Sequence, residues 1–173
     1  MSSWEHDSIK LYSMNKEAAV ANNESLDSIS NHKYLIKAKD SRHVSENIAL
    51  KYTGNLPSSI KICIDSRFML TINLDTEDHL INGSMGTIKY IHMDEANPLN
   101  GKIYIQFDDP VAGEKRKRKR PNKEWVPIIA EVRSFYLNGH NTQRKQFPGI
   151  LAHAVTVHKS QDSTYKYMQI QRT

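Results

Sequence analysis

The sequence predicts a mixed α/β chain that contains a small antiparallel β-barrel. All seven glycines and all six prolines lie at or after Gly54, so residues 1–53 lack the strongest turn formers. From Ile60 onward, short stretches of alternating apolar and polar residues are separated by turn sequences, which is typical of a small barrel or sandwich. With 173 residues, of which 38% are hydrophobic, the chain is long enough to bury a core.

The first 53 residues predict a few α and β elements. Ile9–Leu11 and Tyr34–Ala38 resemble short strands. Asn15 is suited to cap a helix that runs to about Ile29, because its side chain can accept from the first free amides. A second, weaker helix is predicted over Ser45–Tyr52.

The next region, residues 58–137, has room for five or six strands, which favours a small barrel over a larger architecture. The predicted strands are Ile60–Ile64, Phe68–Ile72, Thr87–Ile91, Lys102–Phe107 and Val126–Ile129. Turn sequences at Asn82–Gly86, Asn97–Gly101 and Asp108–Pro110 separate them. A last region begins near Phe147-Pro148 and contains a strand at Ala154–Val157.

The positive charge is concentrated in one segment. The formal net charge is +5, and six consecutive cations account for it, since the remaining 18 basic and 19 acidic residues nearly cancel. These cations are Lys115, Arg116, Lys117, Arg118, Lys119 and Arg120. Such a segment indicates either a local phosphate contact or a nuclear import signal, with a solvated loop tip as the alternative.

Self-sufficient catalysis is not predicted. The phosphate-loop pattern Gly-x-x-x-x-Gly-Lys-Ser/Thr is absent from the sequence. Asp94 and Glu95 follow a predicted strand, where Asp94 could bind magnesium and Glu95 could polarise a water molecule. The nearby Asn97-Pro98 instead favours a hairpin turn at this position. The eight histidines show no metal-binding spacing, and the single cysteine, Cys63, is typical of a buried residue in a reducing compartment. We therefore expect no catalytic residue and no metal site in this chain.

The segment Thr156-Val157-His158-Lys159-Ser160-Gln161 carries the most informative polar cluster. Hydroxyl, imidazole and ammonium groups follow directly after an apolar strand. Such donors suit the phosphate oxygens of a single nucleic-acid strand, where backbone contacts give affinity without sequence preference.

Several blocks in this order resemble the Pif-one-like, RecD-type DNA helicases, including those of helitron transposons. The resemblance covers about residues 10–164 and corresponds to the C-terminal portion of such a helicase. Its blocks are Lys10–Glu17 with Asn22, Leu56-Pro57, Phe68–Asp75, Leu80–Thr87, Gln146–Pro148 and Ala152–Gln161.

The resemblance implies an α/β fragment of a RecA-like helicase domain with an inserted small Src-homology-like barrel. Residues 1–55 would belong to the second RecA-like domain, residues 56–145 to the barrel, and residues 146–173 to the return into the RecA-like domain. The block Thr156–Gln161 matches helicase motif V, which in the family contacts the backbone of single-stranded DNA. Its implied DNA-binding residues are Thr156, His158, Lys159, Ser160 and Gln161. Asn82, Gly83 and Gly86 match the turn block of the barrel, where glycine supplies backbone conformations that other residues resist.

The implied function is that of a partial ATP-dependent 5′-to-3′ DNA helicase, nuclear and soluble, acting in DNA repair, recombination or telomere maintenance. Its implied partners are single-stranded DNA and a first RecA-like domain, with no membrane. ATP and magnesium would bind only in the complete enzyme, because the phosphate loop and the magnesium carboxylates belong to that first domain. One alternative is a non-catalytic small-barrel module that binds nucleic acid or protein; another is a decayed remnant that folds poorly.

The chain departs from the family pattern at two places. Asp162 stands where glycine normally follows the Thr156–Gln161 block, and its carboxylate would repel phosphate. Asp65-Ser66 replaces a usual Gly-Ala pair before the strand at Phe68. Both departures indicate relaxed constraint on the ancestral activity.

We expect the purified chain not to hydrolyse ATP, because it has no phosphate loop. Phosphate release measured with and without single-stranded DNA tests this expectation, with Glu95→Gln as the control variant. Turnover that disappears in Glu95→Gln would contradict it and restore the magnesium interpretation of Asp94 and Glu95.

Overall fold

The structure is a computed structural model that describes residues 9–12, 15–117, 124–156 and 168–170. Among these residues, thirteen strands form four sheets. The strands are β1 (Ile9–Tyr12), β2 (Tyr34–Lys37), β3 (Lys39–Asp40), β4 (Ser59–Ile62), β5 (Arg67–Leu70), β6 (Met85–His92), β7 (Lys102–Phe107), β8 (Val126–Ile128), β9 (Glu131–Leu137), β10 (His140–Gln146), β11 (Gly149–Leu151), β12 (Ala154–Thr156) and β13 (Met168–Ile170). The helices are α1 (Asn15–Ser28) and α2 (Glu114–Lys117), with 3₁₀ turns at Leu50–Tyr52 and Pro98–Asn100. None of the helices in these residues is long and apolar enough to cross a membrane.

The two ends of the chain meet in a parallel sheet of order β12-β1-β13. Helix α1 packs on it through small side chains, since Ala18, Ala21 and Ala154 are buried together with Tyr12 against them. Small residues at these positions let the helix lie close to the strand.

A five-stranded antiparallel sheet of order β11-β5-β6-β7-β8 forms the centre of the molecule. One of its faces is the main core, where Phe68, Ile88 and Ile105 are fully buried and Phe147 packs with them. The same core takes in Ile36 and other residues of the two-stranded sheet formed by β2 and β4. The apolar residues of these alternating strands therefore identify the buried face, because an antiparallel sheet commonly packs one face on the core and exposes the other to water.

A third sheet of order β3-β10-β9 is tied to the rest by buried polar side chains. Arg144 on β10 is only 1% exposed, and its guanidinium donates to both carboxylate oxygens of Asp40 at 2.7 Å and to the Leu56 carbonyl oxygen at 3.1 Å. Two residues further on, the Gln146 side-chain amide donates to the Ile36 carbonyl oxygen at 3.1 Å. These contacts join β10 to β3, to the loop at Leu56 and to β2.

The predicted strands are confirmed at eight places: Ile9–Leu11, Tyr34–Ala38, the five strands of residues 58–137, and the start of the strand at Ala154 overlap observed strands. The helix predicted from Asn15 is also present. Closure of the sheets into a barrel stays a prediction, since the described pairings give separate sheets.

The helix predicted over Ser45–Tyr52 is wrong, because only a 3₁₀ turn forms at Leu50–Tyr52. Tyr52 is 54% exposed and Ala49 is exposed, so the segment buries too little apolar surface to stabilise a short helix. The chain then turns at Gly54 and Asn55, which have φ values of 62° and 61°.

The Asp65-Ser66 departure has a defined place in the fold. Asp65 adopts a φ of 67°, in the left-handed region where a glycine would be unstrained. The Ser66 hydroxyl is fully buried and donates to the Cys63 carbonyl oxygen at 2.7 Å. The pair therefore forms an ordered turn between β4 and β5.

We predict that Asp40→Ala lowers the free energy of unfolding by roughly 3–5 kcal/mol, because it leaves the buried Arg144 cation without its partner. The double variant Asp40→Leu/Arg144→Met removes both charges and should recover most of that loss. Urea unfolding followed by circular dichroism measures both effects. Lys37→Ala, which removes an exposed pair with Glu46, is the control and should cost less than about 1 kcal/mol. An Asp40→Ala protein as stable as this control would contradict the prediction.

Candidate nucleic-acid interface

The carboxyl edge of the parallel sheet is where the predicted DNA-binding segment begins. Tyr12 at the end of β1 lies opposite Thr156 at the end of β12, in parallel register. The carboxyl ends of neighbouring parallel strands meet at one edge, and this edge is the usual position of ligand sites in α/β sheets. Strand β12 therefore ends next to the end of β1, at this carboxyl edge.

Of the predicted DNA-binding residues in that segment, only Thr156 lies in the part of the chain that the structure describes. The backbone of Thr156 closes β12. His158, Lys159, Ser160 and Gln161, and Asp162 after them, lie outside the described residues. Of this segment, the structure therefore describes only the backbone of Thr156.

The edge strand β12 is held by the side chain of Asn22 on α1. The Asn22 side-chain nitrogen donates to the Ala154 carbonyl oxygen at 2.7 Å, and the Ala154 amide donates to the Asn22 side-chain oxygen at 2.8 Å. Asn22 belongs to the first block of the resemblance, but its sequence context did not reveal this contact, because 132 residues separate the two partners.

His153 precedes β12 and joins it to the five-stranded sheet. Its imidazole Nε2 accepts a hydrogen bond from the Arg67 backbone amide at 3.1 Å, so this nitrogen carries no proton. Burial, followed by the nearby positive charges of Arg67 and Lys10, lowers the pKa of His153 to about 4. The imidazole is therefore neutral at physiological pH and acts as an acceptor.

The cationic segment is anchored at its start. Lys115, Arg116 and Lys117 lie in α2, whereas Arg118, Lys119 and Arg120 fall outside the described residues. The Lys115 Nζ lies 3.0 Å from the Glu77 carboxylate, whose hydrogen bond raises the pKa of that lysine, and the Lys117 Nζ donates to the Pro110 carbonyl oxygen at 2.8 Å. Two of the three described cations are thus engaged within the chain.

A buried carboxylate fixes the backbone at this point. Asp78 is 2% exposed, and its carboxylate accepts from the Lys115 backbone amide at 2.9 Å. Its carbonyl oxygen accepts from the Gly113 amide at 2.7 Å. The base of the cationic segment is therefore bound to the acidic turn before β6.

The turn block Asn82, Gly83 and Gly86 shapes the start of β6. Gly83 has a φ of 91°, a conformation that favours glycine. A Cβ on Gly86 would lie 2.5 Å from the Gln106 carbonyl oxygen, so only glycine permits β6 and β7 to approach here. The Asn82 amide donates to the Asn73 side-chain oxygen at 2.8 Å.

Asp94 and Glu95 lie in the turn between β6 and β7, in agreement with the hairpin interpretation. The Asp94 carboxylate accepts from the Ala96 amide at 2.9 Å and from the Asn97 amide at 3.3 Å. Among the described residues, no group of three or more histidine, cysteine, aspartate or glutamate side chains is arranged to hold a metal ion.

Two features escaped the sequence analysis. The hairpin of β9 and β10 turns at Asn138-Gly139, with φ values of 49° and 81°, and this dipeptide is a strong hairpin signal. Tyr90 and Tyr104 form a cross-strand pair on the outer face of the central sheet, with ring centroids 5.5 Å apart. This pair could have been found from the sequence, because aligning the two predicted strands as a hairpin places Tyr90 opposite Tyr104.

Comparison with known proteins connects this fold to one group of enzymes. No protein-family model matches the sequence, and no curated protein matches it significantly. Solved structures do match. A structure of two coordinating Pif1 helicases at forked double-stranded DNA gives a TM-score of 0.67 at 18% identity, covering 95% of this chain and 33% of that one.

Two further structures give the same result. Pif1 helicase from Candida albicans has a TM-score of 0.65 at 20% identity, with coverage of 94% of this chain and 39% of that chain. A Bacteroides Pif1 in complex with ADP-AlF3 and single-stranded DNA has a TM-score of 0.64 at 17% identity, with coverage of 99% and 36%. The chain thus has the fold of part of a Pif1 helicase and spans about a third of these solved chains. The resemblance predicted from the sequence is confirmed as a similarity of fold.

We predict that His153 makes stability depend on pH. Because its pKa in the folded chain is about 4, below the ordinary 6.5, the unfolded chain binds a proton first as pH falls. The His153 contribution is complete above pH 6.5 and is lost between pH 6.5 and about 4, by up to about 3 kcal/mol. The free energy of unfolding measured in urea at several pH values tests this. His153→Asn keeps an acceptor for the Arg67 amide and should show a smaller loss over this range; an equal loss in both proteins would refute the role of His153.

Proposed function

We propose that this chain is part of an ATP-dependent 5′-to-3′ DNA helicase of the Pif1 type and that it holds the backbone of single-stranded DNA. The observation that carries the proposal is the position of Thr156, which ends β12 at the carboxyl edge of a parallel sheet beside the end of β1. The polar segment Thr156–Gln161 continues from there. The fold similarity to Pif1 helicases, one of them bound to single-stranded DNA, supports the choice of this ligand.

The chemistry of the segment fits a phosphate backbone. Lys159 supplies a full positive charge, while His158, Ser160 and Gln161 supply hydrogen-bond donors. Contacts of this kind bind every sequence equally, which a translocating enzyme requires. In the complete helicase, closure of two RecA-like domains around ATP would alternately tighten and release the strand near Lys159.

The domain organisation belongs to the same proposal. We assign residues 1–55 and 146–173 to the second RecA-like domain, and residues 56–145 to an inserted small β-barrel. The parallel pairing of β1 with β12 supports the first assignment, because it brings the two ends of the chain into one sheet. A first RecA-like domain is then the protein partner.

The part of the chain that the structure describes does not form a site for ATP and magnesium by itself. The sequence has no phosphate loop. Asp94 caps a hairpin turn, and the described residues offer no metal-binding group. We therefore derive no step of ATP hydrolysis from this chain and assign nucleotide binding to the complete enzyme.

A second candidate function is a binding module that uses the outer face of the central sheet. Tyr90 is 47% exposed and pairs with Tyr104, and Pro127 is the next cross-strand neighbour. Lys102 and His92 form the adjacent cross-strand pair. Exposed aromatic rings beside cationic side chains are the combination on which nucleic-acid bases stack.

One binding experiment separates the two functions. Fluorescence anisotropy of labelled oligothymidine, titrated at low and physiological salt, should show salt-sensitive binding by the wild-type chain. We predict that Lys159→Ala weakens binding by about tenfold and lowers the slope of log K against log salt by about 0.7, the value for one phosphate contact on a single strand.

The comparison variants are Tyr90→Ala and a charge reversal of Lys115, Arg116 and Lys117 to glutamate. The helicase function requires Lys159→Ala to have the largest effect. A larger effect of either comparison variant would favour the binding module instead. Lys39→Ala, an exposed lysine on β3, is the matched control for loss of one charge. Absence of wild-type binding at both salt concentrations would show that the fold records ancestry and not present activity.

A further inference from the structure

The strand that leads into the predicted DNA-binding segment has an open edge. In the order β12-β1-β13, β12 has a neighbour on one side only among the strands that the structure describes. The Lys10 amide of β1 donates to the His153 carbonyl oxygen at 3.2 Å. In a parallel ladder, the N–H and C=O of the next residue, Ala154, then point away from β1 and toward the open edge.

The side chain of Asn22 occupies this edge. A side-chain amide offers one donor and one acceptor, as a peptide group does. With bonds of 2.7 Å and 2.8 Å to the carbonyl and amide of Ala154, Asn22 replaces the missing neighbouring strand at this residue. The amide and carbonyl of Ala154 are therefore both paired, although no described strand lies on this side of β12.

The position of Asn22 is fixed by its own helix. Ala18 and Ala21 on α1 are each 6% exposed and pack against Ala154, which is 2% exposed. In this buried setting an unpaired carbonyl or amide would be costly, so the alternative to the Asn22 contact is local separation of β12 from α1. Ala154 lies only two residues before Thr156 and five before Lys159.

We infer that Asn22 is a positioning residue for the proposed DNA-binding segment: by pairing with Ala154 it holds β12, the strand that ends at Thr156, where that segment begins in the sequence. This inference rests on the proposed function, since it concerns how that segment is held. Asn22 itself acts through Ala154 and is not placed against the DNA.

The variant Asn22→Asp provides a specific test. An ionised carboxylate keeps the acceptor for the Ala154 amide but has no donor for the Ala154 carbonyl and repels its oxygen. A protonated carboxylic acid again has one donor and one acceptor. Partial burial and the facing Ala154 carbonyl oxygen raise the pKa of this carboxyl above the ordinary value for aspartate, about 3.9. DNA binding by Asn22→Asp, relative to wild type at the same pH, should therefore be about tenfold weaker at pH 8 and should recover toward wild type as the pH is lowered to about 5.

Asn22→Leu is the matched control, because it has a similar size and does not titrate. Its binding should be weakened at every pH without recovery. Other titratable groups on the elements packed against Asn22 are Lys10 and Tyr12 on β1 and His153 before β12. They are present in all three proteins, so the ratio to wild type removes their effect.

Hydrogen exchange at the Ala154 amide provides a readout that does not need DNA. This amide should exchange faster in Asn22→Leu than in wild type, while exchange in β6 and β7 stays unchanged. The inference would be overturned if Asn22→Asp and Asn22→Leu both bound DNA as tightly as wild type. It would also be overturned if both variants bound DNA equally weakly at pH 5 and at pH 8. Failure of the wild-type chain to bind at all would overturn the proposed function, whereas normal wild-type binding with no effect of Asn22 would overturn this inference alone.

Discussion

Two residues, Ala152 and His153, join the antiparallel and parallel sheets, and the relative register of both sheets depends on how they are paired. The Ala152 amide donates to the Arg67 carbonyl oxygen at 3.1 Å, and the Arg67 amide donates to the His153 imidazole at 3.1 Å. The next carbonyl, that of His153, accepts from Lys10 in the parallel sheet. Because a slip of one residue would turn every side chain of a strand to the opposite face, this short link sets the register of β12 against β1.

Hydrogen bonds of polar side chains also join other parts of the chain that are distant in sequence. Arg144 is paired with Asp40, Gln146 with the backbone of Ile36, and Asn22 with that of Ala154. Each of these polar groups would be costly to bury alone, so each has a specific partner in place. These contacts give the connections between sheets a geometry that apolar packing by itself leaves less defined.

This arrangement bears on how the chain can act. The turn accommodates the Asp65-Ser66 departure, because the Ser66 hydroxyl is paired with the Cys63 carbonyl oxygen. The cationic segment begins against acidic residues, since Lys115 pairs with Glu77 and its backbone with Asp78. A contact with phosphate at Lys115 would therefore have to compete with Glu77.

Local sequence patterns were sufficient to predict the strands of alternating character, the helix from Asn15 and the need for glycine in the Gly83–Gly86 turn. The order of the sequence blocks also indicated a helicase fold. These depend on local periodicity and backbone chemistry, which neighbouring residues set. The sequence analysis did not predict β9 and β10, because their many polar residues obscure the alternation expected of a strand, although Asn138-Gly139 marks the turn between them. The tertiary structure alone decided the pairing of β1 with β12, the burial of Arg144 and the contact of Asn22 with Ala154. Those partners are separated by a hundred or more residues, and no local pattern records which distant group satisfies a buried donor or acceptor.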